Sequence, residues 1–133
     1  MVRVFLVEVS PLVCERLEAM FASLAGATTV GRAVGADEAV RKILAARPDA
    51  VVLDLSLAQG SGFDVLRAVR EHAPEIDVYV LSNFSGEPYR RRAERLGARG
   101  FFDKTIEFEH ARDTLAARAA RTLCRNDERR RPC

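Results

Sequence analysis

Four residues with complementary chemistry stand at the ends of apolar runs in this chain: Glu8 after VFLV, Asp54 within VVLDL, Ser82 after VYVL and Lys104 after GFFD. A carboxylate can attack a phosphoryl group as a nucleophile. A hydroxyl and an ammonium can hold the equatorial oxygens of the group in transfer, while a second carboxylate with a hard cation balances charge. Taken singly, each residue has a structural explanation. Asp54 and Ser82 can start turns or cap helices, Lys104 can point into water, and Glu8 can simply end a strand. Their meaning as a set depends on whether the fold brings them to one place.

The elements that must position them alternate. Apolar runs at 3–9, 28–34, 49–55, 77–82 and 99–104 read as strands. Between and after them apolar residues recur at helical spacing. The first stretch has Leu12, Leu17, Met20, Phe21 and Leu24, and the second has Val40, Ile43 and Leu44. The third has Val65, Leu66 and Val69, the fourth Tyr89, Ala93 and Leu96, and the last Ala111, Leu115, Ala119 and Leu123. Ser10-Pro11 offers a cap followed by a first-turn proline. Pro48, Pro74 and Gly97 close the second, third and fourth helical stretches. Near-continuous apolar strands imply burial on both faces, and strand–helix alternation implies a parallel sheet between two helical layers. In open sheets of this kind ligands sit at the carboxyl ends of the strands. Glu8, Asp54, Ser82 and Lys104 all fall at that edge.

The bulk properties narrow the alternatives. The chain has 133 residues, enough for one domain with one core. Its 48% hydrophobic and 30% charged content is that of a globular chain. A net charge of +2 is too mild to imply nucleic acid. The cysteines Cys14, Cys124 and Cys133 have no metal-site spacing and read as free thiols of a cytoplasmic protein. No apolar run is long enough to span a membrane. Residues 1–124 read as one domain, and the charged tail at 125–133 (RNDERRRPC) lacks periodicity and reads as frayed. Gly60-Ser61-Gly62 resembles a phosphate cradle, but a flavin or dinucleotide fold needs such a loop after the first strand, where EVSPLVC has no glycine. Those glycines shape the turn before the third helix. The basic run Arg90–Arg92 reads as a solvated helix face with Glu87–Arg91 and Arg90–Glu94 pairs, or as a partner contact.

The segments FLVEVSPLVCERL, PDAVVLDLSLAQGSG, VYVLSNFS and GARGFFDKT, in this order and spacing, resemble the receiver domain of two-component response regulators, in the manner of the single-domain chemotaxis regulator. The resemblance covers about residues 3–124. It implies an α/β, flavodoxin-like, doubly wound five-stranded parallel sheet of order 2-1-3-4-5 with five helices. It implies Asp54 as phosphoacceptor, Ser82 as switch hydroxyl, Lys104 as phosphoryl contact and Phe101 as aromatic switch. The acidic pair that holds magnesium falls at Glu8 and Val9. Valine ligates nothing, so the expected ligands are Glu8, Asp54 and the Ser56 backbone carbonyl, with binding weakened by Val9. Ala58 and Thr105 stand where the family commonly has proline.

The implied partners are a histidine kinase or phosphotransfer protein and an unidentified output protein. The output surface is the fourth helix, fifth strand and fifth helix, which could also form a homodimer. The resemblance implies a stand-alone receiver with no DNA-binding domain and no membrane partner. It is not an enzyme beyond its own phosphorylation and dephosphorylation at Asp54. The alternative is a pseudo-receiver, an interaction module that works without phosphorylation because Val9 disables its metal site.

Overall fold

A computed structural model describes residues 2–23, 26–84, 86–104 and 107–127, with side chains as far as Arg121. The strands are β1 (Val2–Val7), β2 (Ala27–Ala33), β3 (Ala50–Leu53), β4 (Asp77–Ser82) and β5 (Gly100–Asp103). The helices are α1 (Pro11–Ser23), α2 (Ala36–Ala46), α3 (Gly62–His72), α4 (Glu87–Arg95) and α5 (Phe108–Asp127). All pairings are parallel and the sheet order is β2-β1-β3-β4-β5, as expected for a flavodoxin-like fold.

The strands feed two cores by strict alternation. Phe5, Val7, Val51, Leu53, Val78 and Val80 point to one face, where Ile43, Val65, Leu66 and Val69 cover them. Val4, Leu6, Val52, Tyr79 and Leu81 point to the other, against Leu17, Phe21, Leu115 and Ala119. A period of two along each strand and burial on both faces explain why the runs read as apolar throughout.

The strands are shorter than the apolar runs. β1 stops at Val7, and β3 at Leu53, where the sheet's last links are Glu8 N–H to Ala33 O (3.1 Å) and Asp54 N–H to Val7 O (2.9 Å). Beyond them the chain turns, so Glu8 and Asp54 sit just past the ladder. Two expected core residues face out. Leu12, in the first turn of α1, is 68% exposed, and buried Cys14 takes the inward position. Tyr89 is 41% exposed and packs on the Phe84 ring, 5.6 Å between centroids, because α4 buries only Ala93. Leu24, the side chains of Leu123 and Cys124, and the tail from 128 to Cys133 lie outside the described residues, while α5 itself runs to Asp127.

The glycines before α3 hold the loop against Asp54. Gly60 has φ +70°, and Gly62 N–H donates to Leu55 O at 2.9 Å. A Cβ on Gly62 would lie 2.3 Å from the Asp54 carbonyl oxygen and 2.8 Å from Leu55 Cα. Both are backbone atoms that cannot rotate away. Gly62→Ala is therefore expected to lower stability by about 1–3 kcal/mol, as overpacking of a tight site does. Urea denaturation measures it, and wild-type stability would show that this loop is free to shift.

Candidate functional site

The carboxyl ends of β1, β3 and β4 frame a cleft of about 450 Å³ lined by Glu8, Val9, Asp54, Ser56, Asn83 and Phe84, among others. Glu8 and Asp54 are buried, only 5% and 7% exposed. The Ser10 N–H donates to Glu8 Oε1 (3.1 Å), and the Ser56 N–H to Asp54 Oδ1 (3.3 Å). Each carboxylate is thus held by the backbone of its own loop.

Lys104 joins them. Its Nζ lies 2.9 Å from Glu8 Oε2 and 3.1 Å from Oε1, and donates to Asp54 Oδ2 at 2.9 Å. The lysine arrives there because β5 pairs beside β4, and its own N–H donates to the Ser82 carbonyl at 2.9 Å. Ser82 is fully buried at the end of β4, and its Oγ accepts the Phe84 N–H at 3.0 Å. So one contact network brings together Glu8, Asp54 and Lys104 by side chain, and Ser82 by backbone.

The charges are unequal: two buried carboxylates face one ammonium. Burial raises the Glu8 pKa, and the bonds from Lys104 and the Ser10 N–H do not cancel that rise, to which the charge of Asp54 adds. Burial pulls Lys104 down, but its bonds to Asp54 and Glu8 outweigh this, and its pKa ends above the ordinary lysine value. The ammonium stays charged at neutral pH. It can serve as a fixed positive charge for any anionic group that Asp54 binds or attacks.

Val9 lies at the mouth of the cleft, 42% exposed, and brings no oxygen to it. Glu8 and Asp54 are hard oxygen donors of the kind magnesium takes, and Ser56 lines the same cleft. The donor set fits a hard cation with one carboxylate fewer than an acid at position 9 would give. Among the described residues no group of three or more His, Cys, Asp or Glu could hold a metal. Ala58, where proline was the family expectation, uses its N–H to reach Val34 O at 2.9 Å, a bond proline cannot make. Thr105 lies outside the described residues.

Phe101 is half-buried in β5, opposite Val80. The Arg90 guanidinium lies 4.9 Å from its ring centroid and donates to the Phe101 carbonyl at 3.1 Å. Arg90 was expected to pair with Glu94 one turn along. Instead it reaches across to Glu107, whose Oε1 also accepts the Asp103 N–H at 2.9 Å. The Asp103 N–H and Arg90 hold Glu107 below the usual carboxylate range. The expected Glu87–Arg91 pair is present at 3.0 Å. Two features of the site have no local sequence signal: the Arg90–Glu107 clamp spans 17 positions, and exposed Phe84, two residues past the end of β4, rims the cleft.

Comparison with known proteins bears on this arrangement. Over 127 residues, 95% of its length, the chain is 32% identical to the DNA-binding transcriptional activator DevR/DosR of Mycobacterium tuberculosis, of which it spans 58%. The chain spans about half the length of the curated relatives it matches. The response regulator domain of Thermotoga maritima CheB superposes with a TM-score of 0.80 at 23% identity, covering 91% of this chain and 95% of that one. The receiver domain of sensor histidine kinase PA1611 from Pseudomonas aeruginosa, described with a magnesium ion coordinated in its active site cleft, has a TM-score of 0.74 at 22% identity, covering 89% and 96%. These two likenesses carry the fold alone. Among the described residues no helix is long and apolar enough to cross a membrane. Residues 4–116 match the family model for the response regulator receiver domain, and the chain belongs to that family.

Proposed function

We propose that the chain is a cytoplasmic receiver whose Asp54 accepts a phosphoryl group from a phosphohistidine of a histidine kinase or phosphotransfer protein. The observation that carries this reading is the Lys104 ammonium placed 2.9 Å from Asp54 Oδ2 inside a cleft that is open to a donor. An Asp54 carboxylate oxygen attacks phosphorus, the new O–P bond forms as the P–N bond to the donor imidazole breaks, and the electron pair leaves with the imidazole. Lys104 gives up one of its carboxylate contacts and takes the negative charge on the phosphoryl oxygens. The Ser82 hydroxyl exchanges the Phe84 N–H for a phosphoryl oxygen. Phe101 follows, under the Arg90 clamp, and the surface of α4, β5 and α5 changes its preference for an output protein or a second copy of the chain. Magnesium, when bound by Glu8, Asp54 and the Ser56 carbonyl, supplies further positive charge to the phosphoryl oxygens, and weakly so because of Val9. No separate metabolite is consumed.

The test is intact-mass measurement after incubation with a small phosphoryl donor, with and without magnesium. One phosphoryl adduct is expected on the wild-type chain and none on Asp54→Ala. Exposed Val9 at the cleft mouth favours a second reading, a pseudo-receiver that binds partners without phosphorylation. A folded wild-type protein that takes no adduct, beside a receiver that does, selects it.

A further inference from the structure

The opposite edge of the sheet holds a second polar cleft, about 560 Å³, between the starts of β4 and β5 and one face of α5. Tyr79 forms part of its wall. The residue is only 5% exposed, and its hydroxyl has no hydrogen-bond partner among the described residues. The ring is buried while the hydroxyl opens into the cleft, so it is free to hydrogen-bond a group bound there.

The charges around it are not balanced. Asp77 lies on the same face of β4 as Tyr79, and both its oxygens are already taken. Arg99 Nε donates to Oδ1 at 3.1 Å and Arg118 Nε to Oδ2 at 3.0 Å. Glu75, the other acid of the cleft, accepts from Arg47 Nη1 at 3.3 Å. Arg121 has no ion pair among the described residues, and the terminal Nη groups of Arg99 have no acceptor there. Thr114, Arg118 and Arg121 recur at helical spacing and so line one face of α5. Their charges converge on the phenol: burial raises the Tyr79 pKa and Asp77 adds to this, while Arg118, Arg99 and Arg121 oppose it.

We propose that this cleft binds the phosphate group of a small molecule, with the Tyr79 hydroxyl and the Arg99 and Arg121 guanidinium groups donating to its oxygens. Guanidinium forks suit phosphate oxygens geometrically, and such charge-assisted bonds are the strong ones. The volume lies within the range of small-molecule sites and exceeds what one ion fills. A nucleotide and free phosphate share this chemistry. The site is remote from Asp54 in the fold and does not rest on phosphorylation.

Calorimetric titration with inorganic phosphate and with GMP tests it, circular dichroism serving as the check of folding. Saturable binding with a rise in melting temperature is expected. Tyr79→Phe, which keeps the ring, should weaken it about tenfold, and Arg121→Ala about tenfold or more. Asp54→Ala should leave it unchanged. GMP binding about tenfold tighter than phosphate identifies a nucleotide site, and equal binding identifies a free-phosphate site. Three results would overturn the proposal: no saturable binding of either probe, binding that survives in a folded Arg99→Ala/Arg121→Ala variant, or binding that disappears with Asp54→Ala.

Discussion

Lys104→Met is expected to lower the stability of the protein by about 3 kcal/mol at neutral pH, the scale for removing one partner of a buried ion pair. For a chain of this size that is a fall in melting temperature of about 10 °C. The reason is geometric. Glu8 and Asp54 are both buried, and the Lys104 Nζ is the cation that bonds both, at 2.9 Å each. Methionine fills a similar volume but leaves two carboxylates facing one another without it. The sign with pH follows from Glu8, whose folded pKa is already above its ordinary value and rises further when the lysine is gone. A carboxyl with a raised folded pKa holds its proton more tightly in the folded chain than in the unfolded one. Stability then falls as pH rises from the ordinary glutamate value through the folded one. The deficit of Lys104→Met should therefore be small at acid pH and largest above the folded pKa of Glu8. Wild-type Lys104 acts at the other end of the scale. Its raised pKa gives stability that is fully present below the ordinary lysine value and lost as pH rises through the folded one. Melting curves of both proteins from acid to neutral pH decide the matter. A deficit that does not grow with pH would mean that the lysine holds the cleft by packing rather than by charge. The same variant should slow phosphoryl uptake at Asp54 by about 10²–10³-fold, as loss of a preorganised donor does.

The parts of the site legible in the sequence are those the parallel sheet dictates. Apolar runs buried on both faces announce β1, β3 and β4, and sheet topology then sends the residue after each run to one edge. That logic puts Glu8, Asp54, Ser82 and Lys104 at one edge from the sequence alone. It could not give the ends of the strands, since Val9 and Leu55 continue the apolar pattern past Glu8 and Asp54 although the strands have stopped at Val7 and Leu53. Leu12 and Tyr89 show the limit of helical spacing. Their periodicity is right, but one lies in a first turn beyond the sheet and the other on a helix that buries only Ala93. Ion pairs between elements were illegible. Arg90–Glu107, Arg99–Asp77 and Arg118–Asp77 join positions 17, 22 and 41 apart, with no periodic signature. In the sequence Tyr79 is one more residue of the apolar run DVYVLS. Only the fold shows that its hydroxyl ends among arginines.

Val9→Asp is expected to raise magnesium affinity by about tenfold or more, the scale of one added strong ligand interaction. Magnesium takes hard oxygens in near-octahedral geometry, and the cleft offers carboxylates from Glu8 and Asp54 alone among its lining residues. An aspartate at position 9 would add a third at the exposed mouth, where a hydrated ion can enter. Without metal the change should destabilise the protein, since a third carboxylate would share the charge of one lysine. With metal the order should reverse, because a ligand that binds only the folded state stabilises it in proportion to the logarithm of its saturation. The melting temperature of the variant should thus start below wild type and climb more steeply as magnesium is added. The chain has no tryptophan, so calorimetry or chemical shifts at Glu8, rather than indole fluorescence, report the affinity directly. Equal affinities would mean that Glu8, with one methylene more than the usual aspartate, already supplies what position 9 lacks. The magnesium dependence of the phosphoryl adduct would then be that of a receiver with its acidic pair intact. A gain in affinity without a gain in adduct would separate the two roles of the cleft, leaving Lys104 and not the metal as the charge that governs transfer to Asp54.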